Sequence, residues 1–311
     1  MRLWKSMVIP EPLHKGCRVG IVSTARSVNS DEIAPALHLL QSWGLEPVVH
    51  SSLFSVCGQW AGDDTTRAAM MQDMLDDDSI DAIWCARGGY GSVRVIDKID
   101  FTPLVKHPRW IVGYSDVTVL HSHITRNLGI ATLHATRPIN VVAGNEAASS
   151  PALLTLRQAL FERRTEHTFS PAPLGRPGAV TAPLVGGNLS ILYSLRGTPY
   201  DIDTDGKILF IEDLDEYLYH IDRMMQNLKL GGKLSGLKAL VVGAMSDMHD
   251  NATPFGQTAE EIIMDTVKDY SYPVVFGAPM GHTGLHNRAI MLGAHTSLEI
   301  SQKTIKLSQI C

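Results

Sequence analysis

The chain lacks the features that would commit it to several common roles. Only four of its 311 residues are cysteine, and Cys17, Cys57, Cys85 and Cys311 form no C-x-x-C pair. This argues against a zinc knuckle or a redox dithiol and fits a reducing cytoplasm. No stretch approaches the roughly 18 apolar residues of a membrane span. Residues 1–10 have no long apolar run and no small-residue cleavage site, so no signal peptide is read there. Basic residues are not in excess: 27 Lys and Arg face 32 Asp and Glu, a formal charge of -5, whereas nucleic-acid binders are normally basic. Internal repeats and low-complexity runs are missing too.

The composition is that of a globular protein, 44% hydrophobic and 19% charged, in a chain long enough for one large domain or two. Strand-like and helix-like segments alternate through the first half. Residues 18–23, 47–50, 81–86 and 109–113 read as strands. Asn29 with Glu32 resembles a capping box opening a helix that Gly44 stops, and Asp63 or Asp64 caps a second helix. Another helix is expected after the glycine loop that follows residue 86, and one over 117–127. This alternation predicts a parallel sheet with helices on both faces. From 162 to 183 the pattern lapses into Pro, Gly, Thr and charge, which reads as a linker. The expected organisation is an N-terminal α/β domain over 1–165, a linker over 166–182 and a smaller α/β domain over 183–311. In that second half, strands are expected near 207–211, 239–244 and 273–276, helices over 216–230 and 258–268, and short strands beyond 289.

The sharpest chemical signal is Ser115. It follows a buried strand and precedes a helix, so its hydroxyl is raised at the C-terminal edge of the sheet, where ligands of open α/β sheets collect. Val117 stands where G-x-S-x-G would require glycine, and a helix cap is the competing reading of this serine. A serine needs a base. His282, in Met280-Gly281-His282 after a strand, is placed to be one; His121, His123 and His134 are nearer in sequence, the first two on the helix after Ser115. An orienting carboxylate is expected from Glu212 at the end of the 207–211 strand, with Asp213 and Glu216 as competitors. The loop Arg87-Gly88-Gly89-Tyr90-Gly91 fits neither G-x-G-x-x-G nor a P-loop. It reads either as close backbone approach to a ligand, with the Gly89 N–H aimed at an oxyanion, or as a plain strand-to-helix turn.

Together, Ala86-Arg87-Gly88-Gly89-Tyr90-Gly91, Gly113-Tyr114-Ser115-Asp116, Gly186-Gly187-Asn188-Leu189, Ile211-Glu212-Asp213 with Ile221-Asp222-Arg223-Met224, and Gly281-His282 resemble the motifs of the LD-carboxypeptidase family of serine peptidases, in the family's order and across nearly the whole chain. The resemblance implies a flavodoxin-like N-terminal domain bearing Ser115 and a C-terminal domain bearing Glu212 and His282. It also implies a homodimer, no metal and no cofactor. The implied substrate is a small peptide, a murein tetrapeptide that loses its terminal D-alanine, with no nucleic-acid or membrane partner; the alternatives are a microcin-type self-immunity peptidase and a non-hydrolytic amidotransferase-like binding module. Under this reading Gly89 and Asp116 supply oxyanion N–H groups, and Arg87, Tyr90, Asn188 and Arg223 are the substrate-side candidates. Val185 departs from the pattern, standing where many relatives carry an aromatic residue.

Overall fold

The computed structural model describes residues 7–144 and 150–311. Residues 1–6, on which part of the leader reading falls, and residues 145–149 lie outside the described residues. The chain forms two sheets. Strands β1 (Arg18–Val22), β2 (Glu46–Val49), β3 (Ala82–Cys85), β4 (Trp110–Gly113) and β5 (Thr132–His134) enter the first. The second takes β6 (Arg164–Phe169), β7 (Gly178–Asn188), β8 (Ile208–Leu214), β9 (Ala239–Ser246), β10 (Val274–Val275), β12 (His295–Ile300) and β13 (Ile305–Ile310). Strand β11 (Ile290–Leu292) returns to the first sheet and pairs antiparallel with β5. The helices are α1 (Ser30–Ser42), α2 (Asp64–Asp76), α3 (Thr102–Lys106), α4 (Thr118–His123), α5 (Pro151–Glu162), α6 (Leu189–Ser194), α7 (Leu218–Leu230) and α8 (Ala259–Val267).

The first sheet runs β11-β5-β4-β3-β1-β2, parallel except at β11. Its parallel part has the flavodoxin order 2-1-3-4-5, which gathers the β1, β3 and β4 exits at one edge. Strands β3 and β4 are buried at every position, as a parallel sheet covered on both faces requires. Asn29 and Glu32 exchange the two hydrogen bonds of a capping box at α1, and Gly44 ends that helix at φ +79°.

The second sheet, β10-β9-β8-β7-β12-β13-β6, is parallel from β10 to β7 and antiparallel beyond. Alternate residues of β8 serve two cores: Leu209 and Ile211 pack with α7 and α8, Ile208 and Phe210 with the antiparallel strands.

Three expectations change. Residues 164–169 and 178–188 are strands, so most of the expected linker is sheet. The inward residues of β6 are Thr165 and His167, and their polarity hid the alternation. The Thr165 hydroxyl bonds Gln309 at 2.8 Å, and His167 Nε2 bonds the Ala289 carbonyl at 2.9 Å. After the glycine loop, two 3-10 turns precede the expected helix, which is the five-residue α3. Strand β8 continues to Leu214, so Glu212 lies inside the strand, where its register with β9 slips between Ile211 and Asp213. The bulge gives Glu212 its own setting rather than a place in the regular pleat.

Gln309 is the polar fastener of the C-terminal strands. Its Oε1 accepts from the Met291 N–H and the Thr165 hydroxyl. Its Nε2 donates to the Met291 carbonyl and to the Thr296 hydroxyl on β12, and all four bonds measure 2.7–2.8 Å. Gln309→Leu leaves these buried groups unsatisfied and is expected to cost about 3 kcal/mol or more, read as a lower urea midpoint at unchanged slope.

Candidate active site

Ser115 opens the turn between β4 and α4 at φ +64°, a left-handed conformation that costs a non-glycine residue on the order of 1 kcal/mol. It is not a helix cap: the turn's N-cap is Tyr114 and no side-chain cap bond is made there. Among the described residues no hydrogen bond occupies the Ser115 hydroxyl, and the residue is 8% exposed. Its neighbours hold the turn. The Tyr114 hydroxyl donates to Asn140 Oδ1 at 3.2 Å and accepts from Arg137 Nη2 at 2.8 Å. Asp116, fully buried, accepts from the Ser92 N–H at 2.8 Å through its side chain.

Glu212 and His282 meet. His282 Nδ1 lies 2.6 Å from Glu212 Oε2, and the His282 backbone N–H donates to the same oxygen at 3.2 Å. The approach depends on Gly281 (φ +98°), where a Cβ would fall 2.6–2.8 Å from Glu212 side-chain atoms. Burial pushes the Glu212 carboxyl up, but its histidine neighbours outweigh that and leave it below the usual carboxylate range. His134 Nε2 stands 4.0 Å from Oε1 and His282 Nδ1 2.6 Å from Oε2, and both histidines favour the ionised carboxylate. The Nδ1 contact leaves His282 Nε2 free of Glu212. The His282 ring packs 4.8 Å from the ring of Tyr114, the residue before the serine. No hydrogen bond joins Ser115 to His282 among the described residues; in unliganded sites such contacts are often long.

The competing carboxylates are occupied. Asp213 accepts from Asn188 Nδ2 and the Leu214 and Ser190 N–H groups, at 2.8–2.9 Å. Burial first, then the charge of Glu212, pushes it up to about 7. Glu216 pairs with His220 at 2.6 Å. His121 turns to the Gly113 carbonyl at 3.0 Å, and burial lowers it to about 3. Asn188 caps α6 and its backbone N–H donates to the Thr118 hydroxyl at 3.0 Å, which ties β7 to the serine-bearing helix α4.

The other expected residues disperse. Arg87 reaches Ser27 O at 3.1 Å and Glu32 at 3.5 Å, toward the start of α1. Arg223 lies over the Tyr219 ring on α7, and Tyr90 is largely exposed. Gly89 has φ +102° and borders the Arg26 side chain. Gly88, which the sequence did not single out within its loop, is the glycine against the serine: a Cβ there would stand 3.2 Å from Ser115 Oγ. The places of His134 and Arg137 were also missed, because β5 is only three residues long and offers no period to read. A surface hollow of about 290 Å³, lined by Pro171, Val274, Phe276, Ile300 and Ile305 among others, has no titratable side chain and lies apart from these residues.

A flavodoxin-ordered sheet with a strained serine at its edge and a second sheet carrying a carboxylate–imidazole pair have the make-up of an α/β hydrolytic enzyme. Comparison narrows the class. Residues 19–135 match the LD-carboxypeptidase N-terminal domain and residues 181–298 the LD-carboxypeptidase C-terminal domain. A probable murein peptide carboxypeptidase of Bacillus subtilis is 35% identical over 95% of this chain and 92% of its own. The murein tetrapeptide carboxypeptidase of Pseudomonas aeruginosa is 26% identical over 91% and 93%. A muramoyltetrapeptide carboxypeptidase structure from Oxalobacter formigenes superposes with TM-score 0.84 at 24% identity, over 94% of this chain and 99% of its own. The microcin C7 self immunity protein MccF gives 0.83 at 20%, over 97% and 98%. The chain therefore belongs to the LD-carboxypeptidase family and is a peptidase.

Two predictions rest on this geometry. Ser115→Gly is expected to be more stable than Ser115→Ala by about 1 kcal/mol in chemical unfolding, since only glycine adopts this φ freely. Glu212 ionises more readily folded than at its ordinary 4.5. Its contribution is therefore present above pH 4.5 and lost as pH falls toward 2. Glu212→Gln should weaken the acid dependence of stability in that window, measured as urea midpoints at about pH 5 and about pH 3.

Proposed function

We propose that the chain is a serine carboxypeptidase that releases the terminal D-alanine of murein tetrapeptides during cell-wall recycling in the cytoplasm. The observation that carries the reading is the 2.6 Å contact between His282 Nδ1 and Glu212. It fixes the imidazole so that Nε2 is the nitrogen left for a serine, as a catalytic triad requires. Ser115 Oγ attacks the scissile carbonyl while His282 Nε2 takes its proton, and Glu212 stabilises the imidazolium. The N–H groups of Gly89 and Asp116 steady the tetrahedral oxyanion, an effect worth about 3 kcal/mol per donor. His282 then protonates the leaving amine of D-alanine, and water resolves the acyl-enzyme. Support for the substrate comes from the murein-peptide relatives at 35% and 26% identity. A homodimer, with the nucleophile on residues 1–165 and the acid and base on 183–311, belongs to the same reading. Among the described residues no helix is long and apolar enough to cross a membrane.

The test is turnover of a defined tetrapeptide followed by mass spectrometry. Ser115→Ala and His282→Ala, checked for folding by circular dichroism, should lose about 10⁴-fold or more in kcat, and Glu212→Ala somewhat less. Folded variants with near-normal turnover would reject the triad. The likeness to MccF keeps a second peptidase reading in play, cleavage of a toxic aminoacyl-nucleotide. Competition between the tetrapeptide and an aminoacyl-adenylate analogue separates the two.

A further inference from the structure

A carboxypeptidase must recognise a free terminal carboxylate, and a buried cation is the usual means. Arg87 is engaged by Glu32 and Arg223 lies over Tyr219. A third arginine stands beside the serine. Arg137 is 9% exposed, and among the described residues it forms no ion pair with a carboxylate. Its Nη2 donates to the Tyr114 hydroxyl at 2.8 Å, its Nε to Asn140 Oδ1 at 3.2 Å, and its plane lies 3.9 Å over the Tyr114 ring. These neutral contacts orient the guanidinium without neutralising it, and Nη1 makes no hydrogen bond among the described residues.

Nη1 points at Gly88. A Cβ added there would collide with Nη1 and would stand 3.1 Å from Ser115 Cβ and 3.2 Å from Oγ. Gly88 does not have a left-handed φ, so its glycine answers a need for space. Nη1 takes up the space a Cβ would fill, which sets the guanidinium edge beside the serine side chain. In a peptide whose scissile carbonyl sits at Ser115, the terminal carboxylate lies one residue further on, within reach of a cation set beside the serine.

We propose that Arg137, seated against Gly88 beside the serine, binds the C-terminal carboxylate of the peptide and is the residue that makes this enzyme a carboxypeptidase. The assignment rests on the serine-carboxypeptidase reading above. The ligand class is a peptide with a free terminal carboxylate, and an endopeptidase substrate or a C-terminal amide lacks the recognised group.

The experiment compares a tetrapeptide with its C-terminal amide. The wild type should favour the acid. Arg137→Met should raise KM about 10- to 100-fold more for the acid than for the amide, the size expected for a lost hydrogen bond to a charged group, so the acid-to-amide ratio collapses. Arg137→Lys should retain part of the preference, and added guanidinium should restore part of the activity of Arg137→Ala. A role confined to supporting Tyr114 would slow both substrates alike and leave the ratio intact. Should Arg137→Met fail to fold, Arg137→Lys carries the same test. A wild type that cleaves the tetrapeptide, with a folded Arg137 variant that keeps the wild-type ratio, overturns the assignment and leaves the carboxypeptidase reading standing. A wild type that cleaves neither peptide overturns both.

Discussion

The contact between Glu212 and His282 is the constraint on which the C-terminal part of the site depends. The carboxylate is fully buried, and an unpaired buried charge costs several kcal/mol. It therefore needs a donor from outside its own sheet core, and both the ring and the backbone N–H of His282 supply one. Seventy positions of chain separate the partners. Gly281 grants the approach, and Asn287 holds the Gly281 N–H at 2.9 Å. Shortly after Asn287 the chain enters β11, which pairs with β5 of the other sheet. One ionic contact thus also locates the segment that closes the first sheet.

On the opposite side, Ser115 stores a small strain that its surroundings over-determine, the usual condition for a non-glycine residue at positive φ. Tyr114 is held by Arg137 and Asn140, Asp116 by Ser92, and the following helix by β7 through Thr118 and Asn188. A further hydrogen bond runs from the Ser122 hydroxyl on α4 to the Tyr200 carbonyl at 2.6 Å. The serine-bearing turn and the sheet carrying Glu212 are thereby tied together without any direct contact between the two residues.

Elements with local signals were legible. The α1 cap is hydrogen-bonded as Asn29–Glu32 suggest, because a capping box is closed by four neighbouring residues. Strands β3 and β4 are continuous apolar runs, and β1 is one after Arg18. Strand β6 escaped notice because its inward positions are Thr165 and His167, whose partners Gln309 and Ala289 lie more than a hundred residues away. Strand β5 is too short to show a period, and with it went the setting of His134 and the approach to Arg137.

The residue types at the ends of strands, and so the candidates for serine, acid and base, could be read from the chain itself, since strand-to-helix turns and glycine loops are local. Which candidate meets which was a tertiary matter. Glu212, Asp213 and Glu216 lie close together in the chain, yet a register slip in β8 directs one to His282, while Asn188 and His220 engage the others. Likewise, sequence named two arginines, and folding brought a third beside the serine. Periodicity reports which face a side chain occupies; only packing between distant segments decides what stands opposite.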